Sequence, residues 1–154
     1  MTAPNPSPID ASLQAEYYHL QKTIEDFDAR ALTIKAWSVT FGLVSLVGAF
    51  ASKGQVVFLF ASAGAAMFWL LEAFWKSFQL GYYERVHQIE SHFRGETQVP
   101  YPHQISATWQ EWWESESWSV LGRVGLWVHV ALPHAFVLIA GVACYFTVQF
   151  RVPQ

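Results

Sequence analysis

The residues with the most chemical potential sit where the chain is most apolar. His129, Pro133 and His134 interrupt a run of 27 residues, Val124 to Phe150, that holds no Asp, Glu, Lys or Arg. An ionisable side chain in such a run is costly unless it faces a helix-bundle interior or a water-filled path. Pro133 has no backbone donor and leaves the carbonyl of His129 free, which predicts a kink. Counted from Val124, His134 lies roughly 15 Å along the run at about 1.5 Å per residue, near the middle of a ~30 Å hydrocarbon core. Three chemistries fit. The first is hydrogen-bond glue, with a neutral histidine bonded to a serine of the first apolar span or to the freed carbonyl. The second is a pore lining or proton relay. The third, haem ligation, is disfavoured, because two histidines five apart on one helix point in different directions. Glu72 is the other candidate. Lys76 follows it by four residues, the order that suits a helical ion pair. The alternative is a ring of Glu72 side chains at the mouth of a cation pore.

Other chemistry finds little support. The six histidines include His87 and His92, five apart and so off a common helical face. Cys144 is the single cysteine, which leaves no internal disulfide and no multi-cysteine metal site. No glycine-rich phosphate loop, HExxH, CxxC or nucleophile elbow is present, and the expectation is a non-enzyme with no cofactor and no metal. The net charge of −3 offers no basic surface to nucleic acid. Charged residues make up 14% of the 154 residues, against about 25% in an ordinary soluble domain. Hydrophobic residues reach 53%, with eight tryptophans. The bilayer is the expected surroundings.

The elements that must position these residues follow from uncharged runs. Seventeen residues, Ala36 to Ser52, lie between Lys35 and Lys53, and eighteen, Gly54 to Leu71, lie between Lys53 and Glu72. With the run after Arg123 they predict spans over 36–53, 55–75 and 121–150, the flanking lysines of the first snorkelling to the interfaces. Lys22, Arg30, Lys35, Lys76, Arg85, Arg94 and Arg123 stand against Lys53 and Arg151. The excess places the N-terminus and the 76–123 segment in the cytoplasm and the C-terminus outside, in a bacterial inner membrane. Residues 1–8 carry no basic side chain and do not read as a signal peptide.

Helical stripes extend beyond the lipid. Ser7, Pro8 and Asp10 form a helix start. Leu13, Tyr17, Leu20, Ile24, Phe27, Ala31 and Ile34 then recur at alternating intervals of 4 and 3, a heptad seam, with Glu16 among the charges off it. The row continues as Ser38, Phe41, Ser45, Gly48 and Ser52, small residues that suit close helix contact in lipid. Gly64 lies in a small-residue patch of the second span. Trp75, Phe78, Tyr82, Val86, Ile89 and Phe93 form a second stripe. The expectation is a helix over 9–35 and a returning one over 76–94, paired as a cytoplasmic stalk. The seams either hold one protomer together or build a homo-oligomer. A loop over 95–104 leads to a helix over 105–118, whose Trp109, Trp112 and Trp113 share a face. That face lies either on the headgroups or on the stalk base. The fold class is an all-α membrane protein with three spans, a stalk and a tryptophan-rich interfacial helix.

Asp28-Ala-Arg-Ala-Leu-Thr-Ile-Lys35 entering the first span, Glu72-Ala-Phe-Trp-Lys76, and Tyr82-Tyr-Glu-Arg85 leaving the second complete a pattern over residues 13–94. In topology and pattern it resembles the SLATT-type membrane effectors of bacterial conflict systems. The resemblance implies an oligomer that breaches the inner membrane when a partner sensor is triggered, as in antiviral defence. It carries over no site residue. The alternative is a non-catalytic structural or regulatory subunit that docks a cytoplasmic protein through the stalk.

Overall fold

The structure, a computed structural model, describes residues 7–148. Arg151 and Gln154, on which the expected exit of the C-terminus rests, and residues 149–150 of the expected third span lie outside them. Among the described residues every regular element is a helix: α1 (Pro8–Ser52), α2 (Gln55–Phe93), α3 (Ile105–Gly125) and α4 (Val128–Thr147). α1, α2 and α4 are long and apolar enough to cross a membrane. The chain divides into two compact units. Among the described residues, unit one takes 7–29 with Lys76–Val120, and unit two takes Arg30–Trp75 with 121–148.

Local chemistry sets the helix ends. At the start of α1 the Asp10 N–H donates to Ser7 Oγ at 3.1 Å and the Ser7 N–H to Asp10 Oδ2 at 3.3 Å, a reciprocal capping box. α2 ends on Gly95 at φ 76°, with the Gly95 N–H bonded to His92 O and the Glu96 N–H to Ser91 O, both at 3.0 Å. This left-handed closure is the one glycine adopts without strain. α1 closes in the same way on Lys53, φ 53°, a side-chain-bearing residue in the left-handed region.

In unit one the two stripes meet each other. Leu13, Leu20, Ile24, Val86 and Ile89 form one buried cluster with Val99, and Tyr17, Tyr82, Tyr83 and Ile105 pack around it. Phe27 is half-buried, its ring 5.6 Å from that of Tyr82. Leu20 and Ile24 thus serve contacts within the chain. The tryptophan face of α3 lies on α2: Trp109 Nε1 donates to Phe78 O at 3.0 Å, and the Trp109 and Trp113 rings stack at 5.5 Å.

In unit two the buried row of α1 is Ala31, Ser38, Gly42 and Ala49. The expected row through Phe41 and Gly48 is off by one residue. A straight helix of 3.6 residues per turn drifts about 20° per heptad from a 3.5-residue seam. Phe41 is exposed, its ring lying against the position a side chain at Gly64 would take, and Ser45 is half-buried. At Gly48 there is open space: a Cβ built there meets no atom within 4 Å. The close approach falls at Gly141 of α4, where a Cβ would lie 2.8 Å from the Phe58 carbonyl oxygen of α2 and closer still to Ser62 Oγ. Gly141→Ala is therefore expected to destabilise by about 1–3 kcal/mol through backbone displacement. Gly48→Leu should stay within about 0.5 kcal/mol. Thermal unfolding of both variants in detergent checks the contrast.

The expected third span also shifts. α3 continues through residue 118 to Gly125, and the break falls at Leu126–Trp127, where Trp127 is extended (φ −60°, ψ 134°). Trp69 Nε1 donates to the Gly125 carbonyl at 2.8 Å and caps the end of α3. An end satisfied by a side chain needs no continuation of the helix.

Candidate functional site

Unit two carries a chain of four polar side chains from three helices. α1 supplies Lys35 and Ser38, three residues apart and so on one face; α2 supplies Glu72 and α4 supplies His134. Lys35 Nζ is ion-paired to Glu72 Oε1. The other carboxylate oxygen, Oε2, lies 2.9 Å from His134 Nε2. His134 Nδ1 lies 2.7 Å from Ser38 Oγ. Ser38, Glu72 and His134 are each 0% exposed, whereas the Lys35 side chain keeps 20% of its surface. A carboxylate only accepts, so Nε2 carries a proton toward Glu72, and Nδ1 lies within hydrogen-bond reach of the Ser38 hydroxyl. The result is a continuous line of proton-carrying groups that is buried at Ser38 and meets the surface at Lys35.

A serine, a histidine and a carboxylate in line are also the members of a nucleophilic triad. Here the hydroxyl is fully buried, and the groups form a hydrogen-bonded chain. Among the described residues no group of three or more His, Cys, Asp or Glu side chains is arranged to hold a metal ion.

The structure places the other expected residues differently. Glu72 does not form the local pair with Lys76. Lys76 instead pairs with Asp28 of α1 and donates to Gln79 Oε1 at 2.8 Å. Glu72 instead faces Lys35 and His134, which give each oxygen of the buried carboxylate a partner. His129 is exposed, its ring 5.4 Å from that of Trp127, and is no part of the chain. Pro133 lies within α4 beside His134. With α4 beginning at Val128, His134 lies only about 9 Å along the helix, at 1.5 Å per residue, rather than midway.

Three polar residues of consequence escaped the sequence reading. Lys35 was expected to snorkel. Glu16 and Arg85 were expected off the packed faces, yet both are buried, at 3% and 4% exposure. Arg85 Nε donates to Glu16 Oε1 at 2.9 Å and Nη2 to Oε2 at 3.2 Å, a two-pronged pair. Nη2 also donates to Tyr101 O at 3.0 Å, Nη1 to Gln88 Oε1 at 3.1 Å, and the His103 N–H to Glu16 Oε2 at 2.7 Å. The pair thereby fastens the 95–104 segment onto α1 and α2. A signal existed: Glu16 is three residues after Leu13 and four before Leu20, which is the spacing of a buried position.

Burial pushes the Glu16 carboxyl up, but the Arg85 hydrogen bonds and the His103 N–H outweigh it and hold the group below its ordinary range. Asp10 is also held low, chiefly by its hydrogen bonds to His92 and Ser7. Carboxyls depressed in the folded state stabilise it above their unfolded pKa, and the contribution is lost as pH falls through the folded value. The thermal midpoint in detergent should therefore hold down to about pH 4.5 and fall below about pH 4. Glu16→Gln should flatten part of that fall. His92 Nδ1 accepts from the Val99 N–H at 3.1 Å while Nε2 faces Asp10 Oδ1 at 3.0 Å, so the bond to Asp10 uses the neutral ring's one proton.

No protein-family model, curated protein or solved structure matches this chain.

Proposed function

We propose that the protein is a non-catalytic, channel-like effector of the bacterial inner membrane that acts as a homo-oligomer, with its N-terminus cytoplasmic. The observation that carries this is the Lys35–Glu72–His134–Ser38 chain, four polar groups tied together between three helices that are apolar enough to span a bilayer. Ionisable groups within membrane-spanning helices are costly, and they mark ion pathways and proton relays. The chain holds Glu72 and His134 in register and gives a proton successive stations between Lys35 and Ser38.

The width that a path would need supports the homo-oligomer reading. The most apolar windows of α1, α2 and α4 are only 17%, 33% and 22% buried within one protomer. Three helices enclose no water-filled lumen, so a path of useful width needs several copies. Since Leu20 and Ile24 are occupied within the chain, the copies meet through outward faces such as Val44 and Val47 of α1 and Phe136 and Ile139 of α4.

Proteoliposomes loaded with a pH-sensitive dye test the proposal. A proton gradient is expected to decay faster than in protein-free vesicles, and Glu72→Gln should slow that decay about tenfold. Decay equal to that of protein-free vesicles overturns the reading.

A further inference from the structure

We propose that the cavity between α1 and α2 in unit one binds a small organic ammonium ion. The cavity has a volume of about 420 Å³, and Asp10, Tyr17, Tyr18, Glu90, Phe93 and Arg94 line it. This size lies in the range of small-molecule sites.

Three aromatic rings form the walls. Tyr17 and Tyr18 stand edge to face, their centroids 6.1 Å apart at 72°. Tyr18 and Phe93 leave 63% and 53% of their surfaces open. Tyr17, Tyr18 and Phe93 give the cavity an aromatic lining, and the face of such a ring attracts an organic cation. Phe93 continues the apolar stripe of α2 past the last residue of that stripe in the buried cluster, Ile89, so packing within the chain does not account for it.

The charges agree. Asp10 and Glu90 turn carboxylates to the same space. Hydrogen bonds from His92 and Ser7 keep the Asp10 carboxyl below its ordinary range, so it is ionised at neutral pH. Glu90 Oε1 accepts from the Tyr17 hydroxyl at 3.1 Å, which ties a carboxylate to a wall ring. A carboxylate has about four lone-pair sites, and these bonds leave several open. The one cation, Arg94, is already engaged. Its Nε and Nη2 each donate to Glu96 at 2.9 Å, Nη2 also donates to Ser91 Oγ at 3.0 Å, and Nη1 lies 3.8 Å from Glu90 Oε2. Two carboxylates against one neutralised guanidinium disfavour an anion. The rings disfavour a bare metal ion, which would demand more oxygen ligands. A methylated ammonium satisfies both the walls and the charge.

The test is saturation-transfer NMR on the full chain in maltoside detergent, with tetramethylammonium chloride as probe and sodium chloride at matched ionic strength as control. Saturable transfer at millimolar probe is expected. Tyr18→Ala and Glu90→Gln should each weaken it at least fivefold with circular dichroism unchanged, and Arg94→Ala should leave it equal or tighter. Absence of saturable transfer, an undiminished response in the folded Tyr18→Ala/Glu90→Gln double variant, or preferential binding of acetate overturns the proposal. Nanodiscs then separate the sources of the same chemistry. Loss of probe binding in phosphatidylcholine but not phosphatidylglycerol discs assigns the site to a lipid headgroup, and equal binding in both assigns it to a soluble amine.

Discussion

Arg85→Ala is expected to lower the stability of unit one by about 3–5 kcal/mol, because it leaves the Glu16 carboxylate buried without its counter-charge. The loss goes beyond one ion pair. The same guanidinium holds the Tyr101 carbonyl and Gln88, and the orphaned Glu16 also anchors the His103 N–H. His103 sits at φ 63°, in the left-handed region that a non-glycine residue holds only when its surroundings fix it. The 95–104 segment should therefore loosen together with the helix pair. Protease cleavage within 95–104 and the thermal midpoint in detergent measure the two effects. Replacing both partners by apolar residues of similar volume, Glu16→Leu with Arg85→Met, is expected to recover most of the lost stability, since no unpaired charge remains buried. Recovery of stability without recovery of protease resistance would assign the pair to anchoring the loop.

The second large effect belongs to Glu72→Ala. It leaves the buried His134 Nε2–H and the partly exposed Lys35 ammonium without their shared partner and opens a space where the carboxyl stood. A loss of about 3–5 kcal/mol is expected from breaking a buried charged network at one member. Glu72→Gln keeps the volume and one acceptor, so it should cost about 1–3 kcal/mol. His134→Leu removes the link from Glu72 to Ser38 but leaves the Lys35 pair, and it should fall between the two. Urea or thermal denaturation in detergent gives the order, and the same variants in proteoliposomes show whether flux follows the network or only the fold.

The helices were largely legible in the sequence. Uncharged runs bounded by Lys35, Lys53, Glu72 and Arg123 announce lengths that only helices fill, and the Ser7–Asp10 capping box is local enough to read directly. The pairing of the two stripes follows from Leu13, Leu20, Val86 and Ile89, large residues at helical spacing. What escaped was set by rotation and by tertiary partners. A heptad extended into lipid misplaces the row by one residue at Phe41 and Gly48, because no supercoil holds it at 3.5 residues per turn. The end of α3 at Gly125 depends on an indole 56 residues away in sequence, a contact no periodicity encodes.

The site was half legible. His134 and Glu72 stand out as ionisable groups inside or beside apolar runs. Their partnership spans 62 residues and requires α2 and α4 to be neighbours, which neither residue's local sequence states. Lys76, four residues on, is the partner that sequence distance favours. Asp28 of α1 takes it and leaves Glu72 to Lys35. Glu16 and Arg85 were hidden by type: charged residues read as solvent-facing until a complementary charge is known to lie opposite.

A double-mutant cycle between Glu72 and His134 tests the polar chain most directly. Glu72→Gln, His134→Gln and the double variant are unfolded in the same detergent, and the coupling free energy is taken from the four stabilities. A coupling of about 1–3 kcal/mol is predicted, with the double variant much less impaired than the sum of the singles. Additivity within about 0.3 kcal/mol would mean that the two side chains do not touch, and would contradict the buried chain that links α1, α2 and α4.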